Sequence, residues 1–507
     1  MKYIGSLLLA CLFIACSKDV NEVGLLPYSP AKLDEAGGNW KTFVLSSGSE
    51  VSVDIPRLTT DAVYLQEIDS LKKVVIPSLT TEQKSAVMYW GAGAVLRWNE
   101  IGRELAARYN LPPAANSAGV YPVPSAADPL ADPKFPFANP PYTARALAYL
   151  SVAQYDALVS AWKYKYLYNR QAPYQVDASI KPLLPTSSLP AYPSTDAVVA
   201  QASYTILLAM FPGEGPFLAA KLAEAKNAPI WAGINVRSDI NAGAKLGAAV
   251  AAKVMAKAKV DGMGSANNQA LTAAMVSNSK AIGLPNPWVS QEIPLRPPML
   301  PAYGFVKTWN FDRSTLELIR PEKPYLEGSP EFKNDLEELQ SIQANQTRTQ
   351  AAIANYWADG PGSYTPPGHW HRYAAQAGVD AKYSEIRMAR LLAYVGTALM
   401  DAGIGCWDAK YYYYSPRPQQ FGLKTSVGLP NFPSYTSGHS TFSYAAATVL
   451  SAFFPEKSKT FEGYAQEASD SRVYGLIHFR VDCTMGGKHG KAIGTFAVQR
   501  ANADGAQ

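Results

Sequence analysis

Between residues 410 and 482 the chain sets three cations and two imidazoles in one ordered run. Lys410 is followed after six residues by Arg417-Pro418; Ser437-Gly438-His439 come next, and Arg472, His478 and Asp482 close the run. Arginine offers a planar fork of donors and lysine a mobile point charge, so Lys410, Arg417 and Arg472 together can neutralise a tetrahedral oxyanion. One imidazole can attack the central atom while the other protonates the departing oxygen. Ser437 and Gly438 precede a strongly helical stretch, Ser440 to Phe454. N–H groups at a helix start face an anion, and a glycine there permits close approach. Pro416 and Pro418 restrict the backbone on both sides of Arg417 and help to hold its fork. Arg472 and His478 are expected on one helix, with Asp482 four residues on and on the same face as His478.

The segments that must position these residues read as helices. Helical periodicity runs through Thr80–Tyr109, about Thr143–Leu167, Asn334–Ala358 and Ser384 to about Tyr412, the last delivering Lys410 at its end. Proline- and glycine-rich stretches separate them, and no run alternates as strands do. The expected class is all-α.

The chain also repeats itself. Offset by 245 residues, Arg145–Tyr166 falls on Arg390–Tyr411 without a gap and about half the positions are identical, among them Asp156 with Asp401 and Lys165 with Lys410. At an offset of 243, Ser194 meets Ser437, and Asp239 meets Asp482. Two related helical bundles are expected, of which only the second is chemical. The first has Ala172 for Arg417, Asp196 for His439, Pro229 for Arg472 and Asn235 for His478. The expected division is a leader over 1–16, a tether and lead-in over 17–75, a degenerate bundle over 76–262, a proline- and aromatic-rich surface connection over 263–333, and the catalytic bundle over 334–507.

In order and spacing the three motifs resemble those of the superfamily joining type 2 phosphatidic acid phosphatases, bacterial class A acid phosphatases and vanadium-dependent haloperoxidases. From about Asp359 to the C-terminus the surrounding helices also resemble the soluble bacterial haloperoxidase-like branch. The resemblance implies that Asp482 or its neighbouring backbone orients His478, so that one ring nitrogen points at the anion. Two activities follow from it. A phosphatase would hydrolyse a small phosphomonoester through a phosphohistidine on His478, with His439 as acid and base and with no metal or other cofactor. A haloperoxidase would hold vanadate on His478 and use His439 as the acid–base group for peroxide. The peroxidase branch often carries a bulky aromatic where Pro416 stands here, which favours the phosphatase.

Composition narrows the rest. Net charge is only +5, from 46 basic and 41 acidic residues, and no long basic run suggests nucleic acid. Lys2, an apolar run from Ile4 to Ala15 and then Cys16 read as a lipoprotein leader, too short to span a membrane. The mature protein is expected to be exported and lipid-anchored at Cys16, in the outer membrane. A glycan-binding surface lipoprotein would suit 30 Tyr and 10 Trp, but it has no use for the three motifs. Cys406 and Cys483 flank the site, and two small buried thiols are the expected reading rather than a disulfide. His369 and His371, in Gly-His-Trp-His beside prolines, are expected in a loop packed on aromatic neighbours, since no Cys or carboxylate accompanies them at metal-site spacing.

Overall fold

The computed structural model describes residues 25–506, and the leader with Cys16 lies outside them. The described chain is all-helical, with one isolated bridge, Ser125 to Asp128, in place of any strand. We number the longer helices α1 (Thr81–Trp90), α2 (Ala94–Tyr109), α3 (Pro140–Tyr168), α4 (Thr195–Met210), α5 (Gly215–Trp231), α6 (Arg237–Ala258), α7 (Pro330–Asn345), α8 (Arg348–Tyr356), α9 (Thr365–Asp380), α10 (Glu385–Tyr413), α11 (Gly438–Phe453), α12 (Ser458–Tyr474) and α13 (Arg480–Asn502). None of the described helices is long and apolar enough to cross a membrane.

Two 29-residue helices, α3 and α10, pack on each other at the centre and are buried over most of their length. Ser384 caps α10 by accepting the Arg387 amide, and the helix stops where Tyr414 turns left-handed (φ 51°), with Pro416 close behind. α4 and α6 flank α3 as α11 and α13 flank α10. Helix lengths recur with them: 16 residues in α4 and α11, 17 in α5 and α12. Contacts recur too. Arg145 and Tyr149 bond Asp261, as Arg390 and Tyr394 bond Asp504. Asp156 accepts the amides of Phe43 and Val44, as Asp401 accepts those of Trp309 and Asn310.

Several sequence expectations need correction. Thr80–Tyr109 is two helices, because Gly93 at φ 126° breaks the run between α1 and α2. Asn334–Ala358 is likewise two, with Thr347 capping the second. Pro366–His371 is no loop: the prolines sit in the first turn of α9, where a missing N–H costs nothing. The lead-in from residue 25 is no tether. It straps both central helices, through Asp34 to Ser384 and Arg387 and through residues 43–45 to Asp156. The connection over 263–333 is partly buried, at Trp288, Tyr303 and Trp309.

Candidate active site

The site forms where α10, α11, α12 and α13 converge. Lys410, in the last turn of α10, is fully buried, and its ammonium donates to the carbonyls of Pro433 (2.9 Å), Ser434 (2.7 Å) and Thr436 (2.6 Å). Those three bonds use all its donors, so Lys410 clamps the 433–436 loop and supplies charge from behind it. Arg417, also fully buried, donates to Phe432 O (2.9 Å) and Ile477 O (2.7 Å) and lies over the Phe432 ring. Arg472, in the last turn of α12, donates to Ala354 O (3.0 Å) and Ser471 Oγ (2.8 Å).

Arg472 and His478 do not share a helix. α12 ends at Tyr474 and α13 begins at Arg480, so His478 lies in the link between them. The His478–Asp482 pair forms all the same. Asp482 sits in the first turn of α13, takes the Phe479 amide (3.1 Å) in a capping contact and accepts from His478 Nδ1 (3.0 Å). Ser434 Oγ joins them, 2.5 Å from Asp482 Oδ2 and 3.2 Å from His478 Nδ1. With Nδ1 engaged, Nε2 is the nitrogen left for an incoming centre.

α11 presents the other side. The Ser437 side chain caps the Ser440 amide, leaving the Gly438 and His439 amides at the helix start without intrahelical partners. A side chain at Gly490 of α13 would meet Thr441 O at 2.3 Å, so this glycine lets α13 draw the start of α11 against the His478 link. His439 is 16 % exposed and its Nε2 lies 3.9 Å from Asp359. Asp359 accepts from His369 Nδ1 (3.2 Å), whose ring stacks on Trp357 at 4.6 Å. His369 thus packs on aromatics as expected, but from α9. His371 points elsewhere and takes the Asn99 amide on Nδ1 (3.0 Å). The two histidines share no site, and both thiols, Cys406 and Cys483, are free and buried.

Burial drives the electrostatics. It lowers Arg417 to about 9, Arg472 to about 10 and Lys410 as well, because three cations share a dry region. It holds His439 and His478 well below the ordinary imidazole value, helped at His439 by Arg472 and at His478 by Arg417. Burial also raises Asp482, against the pull of Ser434 and Lys410. Each cationic shift favours uptake of an anion, which would restore the charges.

A cavity of about 260 Å³ opens over this cradle. Gly438, His439, Arg472 and His478 line it, together with Phe137, Met299, Trp407, Phe432 and Phe442. Sequence reasoning missed Ser434 and Asp359. Ser434 stands three residues before Ser437 in a hydroxyl-rich stretch, a usable signal; Asp359 gave none, being a turn residue far along the chain.

The residues that the sequence offset aligns with the site make different contacts. Lys165 donates to Pro190 O (2.6 Å), Asn235 bonds Ser194 and Asp239, and Arg170 pairs with Asp239. Arg170, not assigned from sequence, supplies a cation two residues before Ala172. A buried ion pair between Arg170 and Asp239 thus stands there, where the sequence suggested a pocket that repels anions.

Residues 390–505 match the family model of the PAP2 superfamily. No curated protein matches the chain significantly. Among solved structures, a bacterial vanadium-dependent iodoperoxidase superposes with a TM-score of 0.57 at 19 % identity, covering 80 % of this chain and 96 % of its own. The holo form of a bacterial vanadium-dependent chloroperoxidase gives 0.50 at 13 %, covering 78 % and 96 %. At these identities the likeness is one of fold.

Proposed function

We propose that this chain, a member of the superfamily of PAP2 phosphatases and vanadium haloperoxidases, is a phosphatase acting on a small phosphomonoester. The observation that carries the choice is the cavity over the cradle. Apolar side chains line it together with His439 and give room for an ester's organic leaving group, whereas peroxide and halide need no such space.

In the first step His478 Nε2 attacks phosphorus and the bond to the leaving oxygen breaks. Asp482 holds the Nδ1 proton and the growing imidazolium. Arg417, Arg472, the Gly438 and His439 amides and the charge of Lys410 oppose the negative charge on the equatorial oxygens. His439, its proton affinity raised by the bound dianion, protonates the leaving oxygen. Neutral His439 then takes a proton from water as that water attacks phosphorus, the P–N bond breaks and phosphate leaves. The test is release of phosphate from a chromogenic monoester by the metal-free protein, with acid-labile phosphate trapped on His478.

The second reading is a vanadium-dependent haloperoxidase, favoured by one observation: the fold likeness to the iodoperoxidase spans four fifths of this chain. The donor set fits vanadate as it fits phosphate. His478 Nε2 would hold it, with Arg417, Arg472 and the start of α11 about its oxygens. Bound vanadate would supply peroxide activation, and His439 would hold and move the proton beside it.

Two further proposals complete the reading. The repeated helices and contacts support a duplicated bundle whose first copy is scaffold. The leader supports export and lipid anchoring at Cys16, which Cys16→Ala should abolish, releasing the protein from the membrane fraction.

A further inference from the structure

A second cavity of about 620 Å³, within the usual range of small-molecule sites, lies beside the first. Phe137, Arg296 and Met299 line both, so the two are adjacent and share a wall. The threshold between them is fixed to the catalytic loops. Met299 N donates to Asn431 O (3.0 Å), and its carbonyl accepts from Tyr411 Oη (2.6 Å) and Trp407 Nε1 (3.2 Å). Met210, Met255 and Met263 line the second cavity together with Phe135 and Tyr142, a composition that favours flat aromatic guests.

Polar groups there are mostly spent. Tyr142 Oη donates to Met210 O (2.6 Å), Gln269 Nε2 to Pro298 O (2.8 Å), and Arg145 is paired with Asp261 (2.7 Å). None of these three calls for a charged ligand. Arg296 stands at the threshold with its guanidinium over Tyr121 (5.4 Å) and Phe137 (5.8 Å), and only a long 3.4 Å contact to Glu292. Its face can continue that stack onto a passing ring.

We infer that this second cavity holds the ring-bearing body of the leaving group, so that the substrate is an aryl phosphomonoester of at least two rings. The first cavity takes the ring next to the phosphate and the second takes the next. This rests on the phosphatase reading, and the test keeps the two separable. Phenyl phosphate and 4-biphenylyl phosphate are compared on the full mature protein, beside Ala209→Trp and Gly264→Trp. Ala209 is an exposed wall residue, and a side chain at Gly264 would meet nothing within 4 Å.

Wild type should favour the biphenylyl ester by about tenfold in kcat/KM, the order expected for burying a second ring. Both variants should lose that preference while keeping phenyl phosphate turnover, which also shows that they fold. Absence of a preference in wild type, or its persistence in both variants, would overturn the inference. If wild type hydrolyses neither ester, the phosphatase reading fails, and fluorescence titration with 4-hydroxybiphenyl decides the cavity alone. Saturable binding lost in both variants supports the ring site; no saturable binding to wild type overturns it.

Discussion

Asp482 Oδ2 lies 3.0 Å from Nδ1 of His478 while also capping the first turn of α13 through the Phe479 amide. One carboxylate therefore starts the helix and fixes the tautomer of His478. Replacing it with Asn keeps the size but removes the charge. Asp482→Asn should lower kcat by roughly 100-fold, as loss of a group that orients a reacting imidazole does. Steady-state kinetics with a chromogenic monoester reads this, and a change under threefold would contradict the role.

The two lysines at equivalent places should differ. Lys410 clamps three carbonyls of the 433–436 loop, whereas Lys165 bonds the single carbonyl of Pro190. Lys410→Ala should reduce turnover by about 3–4 kcal/mol of transition-state stabilisation. Lys165→Ala should leave kcat within about twofold and lower the melting temperature instead. Equal losses of turnover would mean that the first bundle takes part in catalysis.

Asp359 Oδ2 lies 3.9 Å from His439 Nε2 and itself accepts from His369. Asp359→Asn removes the one carboxylate close to the His439 ring, so protonated His439 becomes less stable. The alkaline limb of the kcat profile should shift to lower pH by roughly one unit. A profile that falls in height without shifting would show a structural role only.

His489 gives a pH signature of stability. Buried, with neither ring nitrogen hydrogen-bonded, it is held down to about 3 against 6.5 when unfolded. The unfolded chain therefore binds the extra proton between those values. The stability due to the neutral ring is complete above pH 6.5 and is lost as pH falls toward 3, on the order of 4 kcal/mol in all. Thermal melts of wild type and His489→Gln should converge as pH drops from 7 to 4. A constant gap would refute the assignment.

Much of this was legible in the sequence because the reacting groups sit in three short motifs whose local spacing survives folding. Lys410 at the end of a long helix and Ser437 at the start of another follow directly from periodicity and capping. The His478–Asp482 contact was anticipated for an inexact reason: both were placed on a helix, whereas a link and a cap bring them together. What stayed hidden was long-range. Asp359 comes near His439 across 80 residues, Arg170 finds Asp239 across 69, and the lead-in ties α3 through backbone amides and α10 through Asp34. No local pattern encodes such pairings.

The phosphatase assignment is tested most directly by running two assays on one preparation. Phosphomonoester turnover by the metal-free protein is measured beside bromination of monochlorodimedone after vanadate loading. The account predicts hydrolysis that is competitively inhibited by vanadate and abolished in His478→Ala, with negligible bromination. Robust bromination without hydrolysis, lost in His439→Ala, would contradict it and establish the haloperoxidase reading instead.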